Sequence, residues 1–308
     1  MSEDRTDGEP EMTQWTVDSA QQIAFDGDVH SLHVRVVDGT VNVVPTEGPA
    51  RLEVAGLEGE PLQVSLEDGV LTVTYKDLSW SEFGEAVKSV QTVKSFFSGL
   101  RRKRRADLTV AVPAAAVVRV GTVSADATIS GIAGEVGVHG ASGATTLAGL
   151  TGLVNANTVS GDVDAEGLSG ELKVNTVSGA VTLVAGSATR IRAHSVSGAV
   201  TLDLDAATPT DIAVNTVSGA VGVRLPALAD AKVEAGTTSG TLSSAFAELS
   251  VGGGWGSKKL SGQLGTGRGR LSVTTVTGAV TVQRRPEAEE DRPPKELSAA
   301  PLDLTKES

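Results

Sequence analysis

The stretch Val174-Asn175-Thr176-Val177-Ser178-Gly179-Ala180-Val181-Thr182-Leu183 recurs along the chain with small changes. Its Ser or Thr, followed by a small residue, falls at Ser124, Ser142, Ser160, Ser178, Ser197, Ser218, Ser239, Ser261 and Thr277. A period near twenty residues that returns about nine times is typical of a solenoid, in which identical units stack into one column.

Each copy has the pattern of a strand, a turn and a second strand. Val and Thr alternate with polar residues on both sides of a Ser-Gly pair, which predicts two half-buried strands separated by a residue that tolerates positive φ. A weaker turn signal follows at Ser130-Gly131, Gly149, Ser169-Gly170 and Gly186. Two strands and two turns therefore fit into each coil, and nine coils at roughly 4.8 Å each give a rod about 40 Å long.

The side chains of the repeat suit a thin rod. Aromatic residues make up only 3% of the composition, so the interior is expected to hold Val, Ala, Thr and Leu. One position of the repeat carries Asn157, Asn175 and Asn215, with His139 and His194 in two other coils. Stacked amides can hydrogen-bond along a ladder, and we interpret this position as a structural ladder in preference to a ligand site.

Composition and charge exclude several classes of protein. The 308 residues contain no Cys, so disulfides and zinc-thiolate sites are impossible. The acidic, polar start lacks the basic and apolar regions of a signal peptide, and no apolar run of about 18 residues occurs. We therefore expect a cytoplasmic protein. A net charge of −12 repels nucleic acid on average, so no nucleic-acid partner is expected.

The regions on either side of the repeats divide the chain into five segments. Residues 1–12 and the Pro-rich, charged residues 284–308 are predicted to be disordered. Residues 13–77 alternate like strands and contain two hairpin signals, Asp38-Gly39 and Asp68-Gly69. This region is predicted to be a small β-sheet that caps the first open edge of the stack. The solenoid repeats are expected to occupy residues 106–283.

Residues 78–105 break the strand pattern. Apolar residues recur there at spacings of three and four, which predicts an amphipathic helix. The segment holds seven basic and two acidic residues, a local charge of +5 in an acidic chain. The residues expected to contact a membrane or a partner are Trp80, Phe83, Val87, Phe97, Leu100, Arg101, Arg102, Lys103, Arg104 and Arg105.

Three interpretations of this segment stay open. An aromatic-aliphatic face beside clustered Lys and Arg fits an anchor on an anionic membrane. The same face fits a protein-docking or self-association helix. In the third interpretation, the helix covers an open side of the solenoid and the arginines form a solvated turn.

A search for catalytic and cofactor motifs is mostly negative. The four His (His30, His33, His139 and His194) have no metal-ligand spacing, and the repeated Ser-Gly never occurs as Gly-x-Ser-x-Gly. Gly252-Gly253-Gly254 lacks the Lys-Ser/Thr of a phosphate loop. For a carbohydrate-cleaving β-helix, the best candidate carboxylates are Asp203, Asp205 and Asp211. We predict neither an enzyme nor a metal or cofactor site.

The order of several segments resembles a known family. These segments are Val41–Val44, Leu71–Tyr75, Val112–Ala114, the two copies of Asn-Thr-Val-Ser-Gly-Ala-Val, Ala245–Leu249, Gly252–Gly262 and Thr274–Val280. Together they resemble the bacterial β-strand-repeat family named "putative adhesin", also called the toastrack domain, over roughly residues 14–285. The likeness is to the soluble form found in actinobacteria. The resemblance implies a stacked β-solenoid without known catalytic residues. It also implies links to cell-envelope stress sensing, membrane-associated signalling or surface adhesion.

The sequence thus predicts an all-β chain: a single elongated β-solenoid with an N-terminal β cap and one inserted amphipathic helix. The predicted function is a non-enzymatic scaffold or sensor that docks through residues 78–105 at the cytoplasmic face of the membrane. One alternative is a self-assembling structural or adhesin-like protein. Another is a carbohydrate-binding or carbohydrate-active β-helix.

Overall fold

A computed structural model describes residues 13–76, 104–204, 210–254 and 256–285. Throughout these residues the chain is all β and forms a 14-stranded and a 12-stranded sheet. The first sheet contains β1 (Thr13–Val17), β3 (Ser31–Val36), β6 (Leu62–Glu67), β7 (Val70–Tyr75), β9 (Val117–Thr122), β11 (Val136–Gly140), β13 (Leu153–Thr158), β15 (Glu171–Thr176), β17 (Arg190–Ser195), β19 (Asp211–Thr216), β21 (Ala231–Thr237), β23 (Leu249–Gly254), β24 (Ser257–Leu264) and β25 (Gly269–Thr275).

The second sheet contains β2 (Gln21–Ala24), β4 (Asp38–Pro45), β5 (Arg51–Glu58), β8 (Arg105–Val112), β10 (Asp126–Ser130), β12 (Thr145–Ala148), β14 (Val163–Glu166), β16 (Val181–Gly186), β18 (Val200–Leu204), β20 (Val221–Leu225), β22 (Leu242–Ser244) and β26 (Val280–Arg284). Each coil gives one strand to each sheet. In one coil, for example, β13 enters the first sheet, residues 159–162 turn the corner, and β14 enters the second. The predicted stack of two-strand coils is confirmed.

Successive coils pair in parallel and in register, which aligns equivalent side chains in columns. In the first sheet one such column is Val136, Val154, Leu172 and Ile191, and all four side chains are at most 2% exposed. The inward column beside it alternates Val and Ala, as Val138, Ala156, Val174 and Ala193. Burying each Val or Leu contributes roughly 1.5–3 kcal/mol, so the stack is stabilised by many similar small terms and needs no large aromatic core.

The Ser-Gly corner works differently from the sequence prediction. Gly179 is not among the described glycines with positive φ, whereas Gly131, Gly149 and Gly167 of the second turn are. A Cβ atom on Gly179 would instead lie 2.0 Å from the carbonyl oxygen of Gly161 in the preceding coil. Glycine is therefore required at this corner by the close approach of two backbones.

Hydroxyl groups complete the same corner. The Thr176 Oγ1 atom accepts a hydrogen bond of 3.0 Å from the Gly179 amide, and the Ser178 hydroxyl donates one of 3.3 Å to the Val159 carbonyl of the preceding coil. Ser142 and Ser160 make equivalent bonds to the coil before each of them. The repeated serines thus tie coils together and satisfy backbone carbonyls, which explains their recurrence.

The order of the coils in space differs from their order in the chain at both ends of the stack. The coil of β25 and β26 lies between that of β19 and β20 and that of β21 and β22. Similarly, the coil of β3 and β4 lies between that of β7 and β8 and that of β9 and β10. The described residues thus form ten parallel layers.

Two turn assignments from the sequence are wrong. Ser261 is not a coil corner, because it lies within β24, which pairs antiparallel with both β21 and β23. Asp38-Gly39 is not a hairpin, because β3 and β4 lie in different sheets and the pair turns a coil corner between them. Asp68-Gly69 does form the predicted hairpin, since it joins the antiparallel strands β6 and β7.

Antiparallel strands close both ends of the stack. At one end β1 pairs with β6 and β2 pairs with β5, and the rings of Trp15 and Phe25 meet edge to face at 5.2 Å. At the other end β24 and β23 extend the first sheet. These antiparallel strands cap the column of parallel coils, and the outermost strands of the first sheet are β1 and β23. The last strand, β26, ends at Arg284. Of the segments predicted to be disordered, 1–12 and 284–308, residues 1–12 and 286–308 lie outside the described residues.

Candidate functional site

The segment singled out by the sequence lies at a corner of one coil. Tyr75 ends β7 in the first sheet, and Arg105 begins β8 in the second. In other coils this corner is short; residues 177–180, for example, join β15 to β16. Tyr75 and Arg105 therefore lie at the edge of the stack where other coils have a short Val-Ser-Gly corner, and residues 77–103, which connect them, lie outside the described residues.

The two ends of this insertion are fixed to the stack. Tyr75 is fully buried and Arg104 is 7% exposed. The Arg104 guanidinium lies 5.3 Å from the centre of the Tyr75 ring and 2.7 Å from a carboxylate oxygen of Glu60. Burial raises the pKa of Tyr75 to about 12, although the Arg104 charge acts in the opposite direction. The corner is thus held by a cation over an aromatic face and by an ion pair.

Arg105 is also engaged within the chain. Its guanidinium lies 3.1 Å from Asp107 Oδ1, and the same oxygen accepts a hydrogen bond of 3.0 Å from the Thr40 hydroxyl. Of the ten predicted contact residues, Arg104 and Arg105 therefore lie at the root of the insertion. The other eight, Trp80, Phe83, Val87, Phe97, Leu100, Arg101, Arg102 and Lys103, lie outside the described residues, as does the predicted helix.

The same edge of the stack carries an apolar column that the sequence reasoning did not single out. Val196, Val217 and Val276 are the residues just before the corner Ser or Thr, and their side chains are 47%, 48% and 45% exposed. Since the stack aligns equivalent corners, these valines form a line along the edge. The signal was present in the sequence as the Val of each Val-Ser-Gly or Val-Thr-Gly unit.

The predicted side-chain ladder is present on the outer face of the first sheet. His139, Asn157, Asn175, His194 and Asn215 are consecutive register partners. The Asn175 Nδ2 atom donates to Asn157 Oδ1 at 2.8 Å. Burial, together with the Arg119 charge, lowers the pKa of His139. Within the described ranges, no group of three or more His, Asp or Glu side chains is arranged to hold a metal ion.

The candidate carboxylates of a carbohydrate-cleaving site are separated by the fold. Asp203 lies in the second sheet and forms ion pairs with Arg224 and Arg285. Asp211 lies in the first sheet and pairs with Arg192 at 2.6 Å, and the pKa of each carboxyl is lowered. A glycosidase requires two carboxyl groups on one site and a raised pKa on the acid. Asp205 lies outside the described residues.

Comparison with known proteins identifies a family. The sequence profile described as "Toastrack DUF4097" matches residues 6–208 and 63–283. No curated protein sequence gives a significant match. Across the described parts of the chain, there is no helix of the length and hydrophobicity that crossing a bilayer would need.

Two solved structures are similar to the chain. One is a "putative cell adhesion protein" from Clostridium sporogenes ATCC 15579, with a TM-score of 0.24 and 10% identity over 90% of this chain and 100% of that one. The other is a "Putative lipid binding protein" from Parabacteroides distasonis ATCC 8503, with a TM-score of 0.45 and 12% identity over 91% of this chain and 98% of that one.

Proposed function

The chain belongs to the Toastrack DUF4097 family, and on that premise we propose that it is a non-enzymatic scaffold or sensor. In this proposal the β-solenoid docks on the anionic cytoplasmic face of the membrane through residues 78–105. A part in cell-envelope stress or signalling is proposed from the resemblance described above. The observation that supports the proposal is the position of the two ends of the insertion. Tyr75 and Arg104 lie in one layer, at the edge of the stack where other coils have their Val-Ser-Gly corners.

The anchoring of the insertion supports docking by a rigid body. Because Tyr75 and Arg104 are buried in the stack, both ends of the insertion are fixed to the solenoid, and a surface bound by the insertion would hold the whole solenoid. The Val column of Val196, Val217 and Val276 lies along the same edge. An edge that carries both a basic segment and exposed apolar side chains suits contact with a lipid headgroup region.

The charges available to lipid are fewer than the sequence alone suggests. Arg104 and Arg105 are paired with Glu60 and Asp107. We therefore assign lipid contact to the remaining basic residues, Lys88, Lys94, Arg101, Arg102 and Lys103. A Lys or Arg near an anionic leaflet contributes about 1 kcal/mol to binding, so neutralising residues 101–103 is expected to weaken binding roughly 100-fold.

Vesicle flotation tests the proposal. Neutral vesicles of phosphatidylcholine are compared with vesicles containing phosphatidylserine, at low and at physiological salt. We expect the wild-type chain to float only with anionic vesicles and the triple variant Arg101→Gln, Arg102→Gln, Lys103→Gln to stay with the unbound protein. Arg104 and Arg105 are left intact because their side chains belong to the fold.

A matched triple variant controls for the change in net charge. Arg51, Lys173 and Lys232 are exposed. Lys173 and Lys232 lie on β15 and β21, in layers away from the insertion, and Arg51 lies on β5 opposite Ala111, six residues along β8 from Arg105. Their joint replacement by Gln is expected to leave flotation unchanged. Equal recovery of the wild type with neutral and anionic vesicles would remove the membrane function and leave a protein partner as the target of residues 78–105.

Self-association is a second candidate, favoured by one end of the stack. β23 is the outermost strand of the first sheet, Val251 on it is 53% exposed, and Gly252–Gly254 are exposed as well. An exposed outer strand can pair with a second copy. Light scattering over a concentration series, with Val251→Lys as the blocking variant, tests this candidate. A monomer at all concentrations would count against it.

A further inference from the structure

A groove of about 510 Å³ lies on the outer face of the first sheet, across β17, β19 and β25. It is far from the insertion in the order of layers, since five strands separate β7 from β17 in this sheet. Its lining includes Thr189, Arg192, Asp211, Ala213, Arg268 and Arg270. The volume falls within the range of small-molecule sites in proteins, about 300–1,000 Å³.

The hollow is created by side-chain size at neighbouring positions. Ala213 is the register partner of Arg192 on one side and of Ser272 on the other. Glu234 follows Ser272 in the next strand. Two short side chains therefore lie between two long ones, and the sheet surface is depressed over Ala213 and Ser272.

Two of the three guanidinium groups in the lining are held in place. Arg192 lies 2.6 Å from Asp211 Oδ2 and donates to the Asp211 carbonyl oxygen at 3.1 Å. Arg268 lies 2.5 Å from Asp230 Oδ2, and the Thr266 hydroxyl donates to the same carboxylate oxygen at 2.9 Å. These cations are positioned before any ligand arrives.

The third guanidinium is available. Arg270 is exposed, and within the described residues its side chain donates no hydrogen bond and forms no ion pair. Its charge nonetheless contributes to the lowered pKa of Asp211. The lining carries three guanidinium groups and the Asp211 carboxylate, and the carboxylates of Asp230 and Glu234 lie beside it. Arg270 is thus the guanidinium of the lining whose charge is not used in an ion pair within the described residues.

We propose that this groove binds the oxyanion of a small ligand, a phosphate, sulfate or carboxylate group, through Arg270 with support from Arg192. A planar guanidinium matches such groups with two parallel hydrogen bonds. The Thr189 hydroxyl at the rim provides a further polar contact for the remainder of the ligand. The groove lies near the beginnings of β17, β19 and β25, whereas the valine column follows the ends of the same strands and the insertion belongs to a distant layer. Anion binding is therefore expected to be independent of membrane docking.

Isothermal titration of the full chain with sodium phosphate, sodium sulfate and sodium galacturonate tests the proposal, and galactose serves as the uncharged probe. We expect at least one anion to bind, galactose not to bind, and affinity to fall as sodium chloride is raised. The strongest of the three anions identifies the class of ligand. Failure of all three anions to bind would overturn the proposal.

Three variants localise the binding. Arg270→Gln is expected to weaken anion binding roughly tenfold or more, since it removes charge-assisted hydrogen bonds to the oxyanion. Arg270→Lys, which keeps the charge but not the planar fork, is expected to bind with intermediate affinity. Arg51→Gln, on the other sheet, removes the same charge and is expected to bind as the wild type does. Unchanged binding by a folded Arg270→Gln protein would overturn the assignment, and its vesicle flotation is expected to be normal.

Discussion

Gly179 faces Gly161 of the preceding coil so closely that a Cβ atom on Gly179 would be 2.0 Å from the Gly161 carbonyl oxygen. The same relationship joins Gly198 to Gly179 and Gly219 to Gly198, at 1.9 and 2.0 Å. Since both partners are backbone groups of tightly paired strands, neither can move aside. The column of corner glycines therefore sets how closely the coils stack at this edge.

Gly179→Ala is expected to destabilise the protein by about 1–3 kcal/mol or more, because the added methyl group overpacks a rigid site. Gly222→Ala is the matched control, since a Cβ atom there meets nothing within 4 Å. That variant is expected to be neutral or slightly stabilising, because alanine restricts the unfolded chain. Urea denaturation measures both free energies of unfolding, and equal values would contradict the steric explanation.

Asp203→Asn is expected to lower the free energy of unfolding by about 3–5 kcal/mol, the usual cost of breaking a buried ion pair. Asp203 is 5% and Arg285 8% exposed, and Arg224 binds the second carboxylate oxygen. Glu171→Gln breaks an ion pair with Arg190 in which both side chains are about half exposed, so it is expected to cost less than about 1 kcal/mol. A loss of the same size in both variants would show that the burial of Asp203 does not matter.

Arg104→Gln is expected to lower the free energy of unfolding by about 1–3 kcal/mol, because it removes the cation that lies 2.7 Å from the Glu60 carboxylate and uncovers the Tyr75 ring. The neighbouring variant Arg105→Gln removes an ion pair whose arginine is 47% exposed and is expected to cost less than about 1 kcal/mol. Thermal unfolding followed by circular dichroism compares the two. A larger loss for Arg105→Gln would reverse the assigned roles.

The stability of the fold is expected to decrease in mild acid through His139. Burial and the Arg119 charge hold the pKa of His139 below its usual value of 6.5, so the unfolded chain takes up the proton more readily than the folded one. The contribution of neutral His139 to the free energy of unfolding is therefore complete above pH 6.5 and is lost as the pH falls through the lowered pKa of the folded state. Burial, Arg119 and Arg35 lower the pKa of His33, which adds an effect of the same sign.

His139→Asn tests this pH dependence, because asparagine is the residue of the neighbouring rungs and cannot be protonated. Urea denaturation at pH 8 and pH 5 is expected to show a smaller difference in stability for the variant than for the wild type. Arg119→Gln is expected to reduce the difference in part, since it removes one cause of the lowered pKa. An unchanged difference in His139→Asn would assign the effect to other groups.

The sequence predicts the coil well because each coil repeats the same local choices. Val174 and Thr176 point inward and Asn175 outward, and the Ser-Gly corner follows at once, so one copy predicts the others. The physical role of Gly179 could not be predicted, because it depends on the distance to Gly161 in another coil. The pattern also misled at Ser261, where a Ser-Gly pair lies in an antiparallel strand.

The order of the layers could not be predicted. Coils with nearly identical side chains can stack on one another in any order. The repeat pattern therefore does not show that the layer of residues 269–284 lies between the layer of β19 and β20 and the layer of residues 231–244. The groove was missed for the same reason. Arg270 lies beside Asp211 only because β25 pairs with β19, a contact between residues far apart in the sequence.

The interleaved order of the layers affects how the molecule assembles and comes apart. During synthesis on a ribosome, residues 231–237 are complete before residues 269–275, yet they rest on them. The layer of β21 and β22 therefore either folds only after β25 and β26 are in place, or first pairs with the layer of β19 and β20 and is later displaced from it by β25 and β26. Once formed, the layer of β25 and β26 cannot detach on its own as an end layer could, because it is hydrogen-bonded to a neighbouring layer on both sides.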